Sequence, residues 1–268
     1  VLKHTALIAV IAHLRKKDTA FAVIDAHAGR GLYDLSSAEA KKTGEAEGGI
    51  LRLLAQVDLP EALAQYHEIV RRFGNGVYPG SPLIAAKMLR RQDRLVAIEK
   101  HPEEFESLAA SLAGIKRARA IRGDYRNELK RLLPPPERRG VVLIDPPYEA
   151  EGEFIEAARA IIDAWRRFAT GTYLFWYPAK HRPSVDAAAG EVLNAGIASL
   201  LRLELDIGPP QTASEAGRAP PMSSTGLLVV NPPYGFPDQM NVILRTLTTL
   251  LGRGPAANWS LVQLAGEA

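Results

Sequence analysis

The sequence predicts an α/β protein: seven strands in an open sheet, helices on its faces, and a small helical insertion early in the chain. Three observations carry this. Seven short runs rich in Val, Ile, Leu and aromatic residues are spaced along the chain, and such runs bounded by turn residues read as buried strands. Helical stretches separate the first six, which is the rhythm of parallel strands joined by crossover helices. Several strands end in an acid, a glycine or a proline, and the C-terminal tips of parallel strands are where open α/β sheets bind ligands.

A chain of 268 residues makes one large domain with room for an insertion. Its 47% apolar and 24% charged residues are ordinary for a globular protein. Without cysteine, disulfides, thiolate chemistry and cysteine-bound metals are excluded, which fits a reducing cytoplasm, the compartment expected here. The six histidines show no metal-ligating spacing, so no metal is expected. No apolar stretch is long enough to span a membrane. The start lacks the features of a secretory leader, because His13 interrupts its apolar run and no small-residue cleavage site follows. Without an initiator methionine, the natural start is expected to lie upstream.

The net charge of +3 is unevenly spread. Nine basic residues lie between Lys116 and Arg139, against Asp124, Glu128 and Glu137. Arg71-Arg72, the stretch 87–94, Arg166-Arg167 and Lys180-His181-Arg182 add further groups. Each cluster alone suits a solvated helix face; together they suit a polyanion such as nucleic acid.

Residues 2–14 place Leu2, Ala6, Leu7, Val10, Ile11 and Leu14 near one helical stripe. Phe21-Ala22-Val23-Ile24 is the first strand. It runs into Asp25-Ala26-His27-Ala28-Gly29-Arg30-Gly31, where an acid and two glycines let backbone approach a ligand. This is neither GxGxxG nor a phosphate loop with its lysine-serine pair. Residues 34–79 hold no convincing strand. There 36–42, 48–56 and 60–73 read as short helices, an insertion dividing a main domain of residues 1–33 and 80–268. In Tyr78-Pro79-Gly80-Ser81-Pro82 the serine is set to cap a helix over 83–91, with Pro82 at its first position. Leu95-Val96-Ala97-Ile98 is the second strand, and Glu99 at its tip can accept from both hydroxyls of a ribose. His101-Pro102 opens a helix to about Leu112. Arg119-Ala120-Ile121-Arg122 is a weaker third strand ended by Gly123-Asp124-Tyr125. Asp124 could accept from an amino group and Tyr125 pack beside its ring, and both also suit a turn.

Val141-Val142-Leu143-Ile144 is the fourth strand, ending at Asp145-Pro146-Pro147-Tyr148. Neither proline has an N–H for a sheet ladder, so the strand stops and leaves an acid, rigid carbonyls and an aromatic ring at its tip. Those are the parts for holding a flat amino-bearing base: acceptors for its N–H bonds and a ring to stack on it. A helix over 154–168, a strand over 171–177 stopped by Pro178, a helix over 185–195, an alternating strand over 200–207 and a strand over 226–230 follow. Residues 209–221 read as a mobile loop, 239–251 as a helix, and the remainder as a tail.

Seven strands, with helices between the first six and a direct loop between the last two, resemble the Rossmann-like class I S-adenosylmethionine-dependent methyltransferase fold. In that fold the seventh strand is antiparallel and lies between the fifth and sixth. Asp145-Pro146-Pro147-Tyr148 resembles the motif with which amino-group methyltransferases hold their target. Asn231-Pro232-Pro233-Tyr234 repeats it after strand seven, but an antiparallel strand puts its tip at the opposite edge. Only about 37 residues follow Asn231, too few for the strands such a motif precedes. Catalysis is therefore assigned to Asp145, and the second motif is read as a strand stop.

Taken in order, Lys3-His4, Asp25-Ala26-His27-Ala28-Gly29, Tyr78-Pro79-Gly80-Ser81-Pro82, Glu99-Lys100-His101-Pro102, Gly123-Asp124, Asp145-Pro146-Pro147-Tyr148 and Asn231-Pro232-Pro233-Tyr234 closely resemble the RlmJ family of bacterial 23S ribosomal RNA adenine-N6 methyltransferases, over essentially the whole chain. The family's tyrosine- and histidine-containing segment ahead of Lys3 is absent from this sequence. The resemblance implies S-adenosylmethionine as cofactor and protein-free or partly assembled 23S ribosomal RNA as partner, with a monomeric enzyme and no membrane. It implies cofactor contacts from Lys3, His4, His27, Gly29 and Ser81, a ribose acid at Glu99, and an adenine-ring acid at Asp124 with Tyr125 beside it. It implies catalytic roles for Asp145, Pro146 and Tyr148, the last as the base-stacking aromatic. Arg30, between the two glycines, departs from the small residue common there. The same tetrapeptide chemistry serves DNA adenine and protein glutamine methyltransferases, and a non-catalytic RNA-binding protein could retain the fold.

Overall fold

A computed structural model describes residues 1–37, 45–148, 152–180, 182–209 and 222–266. Along the chain these form α1 (Leu2–Arg15), β1 (Ala22–Asp25), β2 (Leu32–Asp34), α2 (Glu45–Gly48), α3 (Ile50–Leu54), α4 (Glu61–Arg71), β3 (Val77–Pro79), α5 (Ser81–Met88), β4 (Arg94–Glu99), α6 (Pro102–Leu112), β5 (Ala118–Arg122), α7 (Tyr125–Leu132), β6 (Gly140–Ile144), α8 (Glu153–Arg167), β7 (Thr172–Pro178), α9 (Arg182–Asn194), β8 (Leu200–Asp206), β9 (Ser224–Val230), α10 (Phe236–Leu251) and β10 (Asn258–Ala265). Among the described residues no helix is long and apolar enough to cross a membrane. The expected helix over 36–42, the loop over 209–221 and His181 lie wholly or mostly outside the described residues.

All seven expected strands join one sheet, in the order β10-β8-β9-β7-β6-β1-β4-β5. The five strands from β5 to β7 run parallel. β9 is antiparallel and lies between β7 and β8, as the resemblance implies. Side chains alternate between two apolar layers, as strand geometry requires. Val23, Val141 and Leu143 face a layer containing α1, α4, α5 and α10, and Ile24, Val142 and Ile144 face one containing α8 and α9. Buried on both faces, these strands read as continuous apolar runs rather than alternating ones. α1 is buried from His4 through Ile11, so its apparent stripe is part of a helix enclosed on nearly every side.

Three features differ from the expectations. The tail contains an eighth strand, β10, antiparallel to β8 from Asn258↔Asp206 to Val262↔Arg202 and beyond. It is only partly buried along its length, so its sequence carries a weak strand signal, and the open ladder of β8 is what recruits it. The 34–79 region was expected to hold no strand. Yet Tyr78 of β3 pairs with Tyr33 of β2 in a two-stranded ladder, and three residues are too few to show a period. Finally, Ser81 is not the cap of α5. Gly80 occupies that position in an extended conformation, and Ser81 is the first helical residue with no capping bond. Ser81 instead acts on the buried Asp25 carboxylate, whose pKa it lowers.

Candidate active site

β1 lies between β4 and β6. The chain leaves β1 toward β4 and β5, then returns on its other side as β6 and β7. The tips of β1 and β6 therefore flank the point where strand order reverses, the usual ligand crevice of an open α/β sheet. A cleft of about 730 Å³ opens there, with His27, Gly29, Glu99, Tyr125, Asp145 and Pro146 in its walls. A second cavity of about 230 Å³, with Lys3, His4 and Ser81 in its walls, shares His27, Tyr33 and Asp145 with the first. Of the residues expected in the site, only Asp124 and Tyr148 line neither.

Asp145 is held from two sides. The Lys3 ammonium pairs with its Oδ2, and its backbone N–H donates to His27 Nδ1 at 3.3 Å. Burial draws the Lys3 ammonium down, but the Asp145 carboxylate more than offsets this, and its pKa ends above the ordinary value. Burial lowers His27 to about 4, so at neutral pH the ring is uncharged. With Nδ1 accepting, its proton sits on Nε2. Asp25, at the tip of β1, is 1% exposed. Burial raises its pKa to about 6, against the lowering effects of the Ser81 hydrogen bond and the Lys3 charge.

Glu99 is fixed by two backbone donors. Its Oε2 accepts from Gly29 N–H at 2.8 Å and its Oε1 from His101 N–H at 2.7 Å. Each oxygen retains a lone pair for a further donor. Gly29 has φ +58°, and a Cβ there would lie 2.2 Å from the Tyr33 hydroxyl, so a side chain would be strained and would have to displace that hydroxyl.

Tyr125 lines the cleft with its ring centroid 4.3 Å from that of His27. Asp124 caps α7, accepting from Arg126 N–H at 3.0 Å, and its carboxylate meets the Arg126 guanidinium at 2.9 Å. Those hydrogen bonds hold its pKa down at about 2. Its turn chemistry is thus realised, and its side chain faces Arg126 rather than the cleft. Tyr148 has φ +57°, and its hydroxyl donates to the Trp176 carbonyl. Its half-buried ring packs 4.4 Å from Phe154 and 5.9 Å from Trp176 between centroids.

Sequence reasoning passed over three residues here. Asp25 entered only as the acid closing the first strand, with no site role of its own. Tyr33 carried no local signal. Trp176 lies in an aromatic strand, one residue beyond the last β6–β7 pair, Ile144↔Phe175, with its ring centroid 5.9 Å from the Lys3 ammonium.

Asn231 sits at the other edge. Val230 pairs with Tyr173, near the start of β7 rather than its tip. Asn231 has φ +51°, and its side-chain amide donates to the Ala169 and Gly171 carbonyls at 2.8 Å each. The basic residues also separate. Arg139 donates to the Leu14 and Thr19 carbonyls, while Arg126 and Arg131 form ion pairs. Lys116, Arg117, Arg119 and Arg122 are exposed along and beside the edge strand β5.

The family model described as "Ribosomal RNA large subunit methyltransferase D, RlmJ" matches residues 18–264. The chain belongs to the RlmJ family. Two curated relatives, both named ribosomal RNA large subunit methyltransferase J, agree with this. The protein of Haemophilus influenzae is 38% identical over all of this chain and 95% of its own length. That of Escherichia coli is 39% identical over 94% of this chain and 89% of its own. A crystal structure of a Legionella pneumophila protein superposes with a TM-score of 0.84 at 32% identity, covering 98% of this RlmJ-family chain and 96% of the other.

Proposed function

We propose that this chain transfers a methyl group from S-adenosylmethionine to the exocyclic N6 of an adenine in 23S ribosomal RNA, in the cytoplasm. The observation that carries the reading is the tip of β6, where Asp145 and Pro146 border a cleft whose other end is walled by Glu99. The names of the family and of the two relatives support the ribosomal RNA substrate.

The residues present suit the cofactor. The fixed Glu99 carboxylate can accept from a ribose diol. His4 lines the smaller cavity, and its Nε2, like Asp25 Oδ2, is buried without a hydrogen-bond partner among the described residues. A zwitterionic amino-acid end brings both an acceptor and donors to such a wall. When bound, the cofactor supplies a sulfonium methyl already activated for transfer.

The nitrogen N6 of adenine is a poor nucleophile because its lone pair is delocalised into the ring. Lys3 holds Asp145 Oδ2, which leaves Oδ1 to accept from N6–H, and the Pro146 carbonyl accepts the second N–H. Both contacts favour a pyramidal nitrogen with a free lone pair, and they are aimed at positive charge developing in the transition state. Asp145 need not take the proton before transfer, since the amine becomes acidic only once methylated. Tyr148 limits the poses of the base from beside the cleft. In-line placement of the reacting atoms is an orientation effect that can reach roughly 7–11 kcal/mol. A paired base has to be turned out of its helix to enter.

The test is methyl transfer from tritiated cofactor to ribosomal RNA, DNA and protein fractions. Label should enter ribosomal RNA as N6-methyladenine. Asp145→Ala should abolish it, while cofactor binding measured by calorimetry persists. Label confined to DNA or protein, or full activity in Asp145→Ala, would sink the reading.

A further inference from the structure

The inserted region reaches the smaller cavity through a chain of hydroxyls. Tyr66, on α4, is fully buried. Its hydroxyl lies 2.8 Å from that of Tyr78 on β3. The Tyr78 hydroxyl lies 2.6 Å from Nδ1 of His4 on α1. The His4 ring stacks on Tyr78, with centroids 5.6 Å apart and planes at 27°. His4 adjoins Lys3, whose ammonium holds Asp145.

The polarity of this chain follows from counting protons. Burial keeps His4 neutral and both phenols protonated at neutral pH. Suppose Tyr66 donates to Tyr78, and Tyr78 donates to His4 Nδ1. Every hydroxyl proton is then used, and the only proton left over is on His4 Nε2. The reverse direction starts with Nδ1–H donating to Tyr78. It strands the Tyr66 proton in the core and leaves an unmatched lone pair on Nε2. A buried polar group without a partner costs about 1–3 kcal/mol, so the first direction prevails.

We infer that Tyr66 and Tyr78 are positioning residues through which the inserted region fixes His4 as its Nε2–H tautomer, presenting a donor at the wall of the cofactor cavity. Nε2 is buried and unpartnered among the described residues, so an acceptor arriving there relieves a standing deficit. Within the proposed reaction that acceptor is the anionic end of the cofactor's amino-acid portion, and this part of the inference rests on the proposed function. The inserted helices then hold one wall of the site in register, since α4 packs against α1.

Nitrogen-15 NMR of the imidazoles reads the tautomer directly, in the full chain and without ligand. The wild type should show a protonated Nε2 and a bare Nδ1 at His4. Tyr78→Phe, which keeps the ring and removes the hydroxyl, should give a mixture of tautomers and weaken S-adenosylmethionine binding by about ten-fold. Tyr66→Phe should shift the His4 signals in the same sense with a smaller loss of affinity. Leu63→Ala empties a fully buried position on the same helix and serves as the packing control: it should lower the melting temperature and leave the tautomer alone. A wild-type His4 protonated at Nδ1 would overturn the inference without any variant, and so would Tyr78→Phe binding cofactor as the wild type does. Should the wild type bind no S-adenosylmethionine, the proposed function fails while the tautomer result still decides the hydroxyl chain.

Discussion

Asp25 and His27 stand two residues apart, and burial shifts them in opposite directions. Asp25 has a folded pKa near 6 against an ordinary 3.8. Its contribution to stability is therefore complete below about 3.8 and is lost as pH rises through 6. His27 has a folded pKa near 4 against 6.5. Its contribution is complete above about 6.5 and is lost as pH falls through 4. Between those limits the two oppose each other, and above about pH 6.5 only the Asp25 cost remains. Asp25→Asn keeps an oxygen to accept from the His27 N–H and removes the buried charge. Urea unfolding should find it more stable than the wild type at pH 8 by about 1–3 kcal/mol, with the gain gone near pH 4. A loss of stability at pH 8 would mean that the Lys3 charge already compensates Asp25 in full.

Two strands end in the same kind of tetrapeptide, and strand direction separates their work. On β6 the motif reaches the cleft; on β9 it ties down the loop before β7. Asn231→Ala removes two hydrogen bonds to main-chain carbonyls and places a residue with a Cβ but no polar end at φ +51°. Unfolding should cost about 1–3 kcal/mol less, and methyl transfer per folded molecule should be unchanged. Asp145→Ala should abolish transfer in the folded protein, and it should also lower the melting temperature by leaving the Lys3 ammonium unpaired. Loss of activity in folded Asn231→Ala with activity kept in Asp145→Ala would reassign the two motifs. The tail adds a separate lesson at this scale: β10 covers the edge that β8 would otherwise present to another chain.

Over the whole molecule, the basic groups divide by employment. Arg90 and Arg139 bind main-chain carbonyls near the end of α1, so they hold the fold together. Lys116, Arg117, Arg119 and Arg122 stay in solvent at the β5 edge, beside the strand whose tip carries Glu99. Charges on an edge strand also discourage sheet-to-sheet pairing, and binding measurements separate that role from RNA contact. Affinity for a ribosomal RNA fragment should fall by more than about ten-fold between roughly 50 and 200 mM salt. Replacing Arg119 and Arg122 by glutamine should flatten that slope. Affinity indifferent to salt would remove the polyanion from the account.

The seven strands and the arrival of Asp145 and Pro146 at a cleft-facing strand tip were legible in the sequence. Each depends on consecutive residues: a run of β-branched side chains, two prolines without N–H groups, an acid or glycine at a strand end. Strand direction was legible only because the resemblance supplied the topology. The partners of those residues were not legible. Lys3 meets Asp145 and His27 receives its N–H across most of the domain, and Tyr66 reaches His4 through Tyr78. The cap at Gly80, the turn of Asp124 toward Arg126 and the eighth strand likewise depended on competing neighbours. The sequence alone therefore determined which chemical groups arrive at the strand tips, because strand ends are written locally. Only the tertiary structure decided which groups hold one another there, because sheet order and register bring together residues that no local pattern connects.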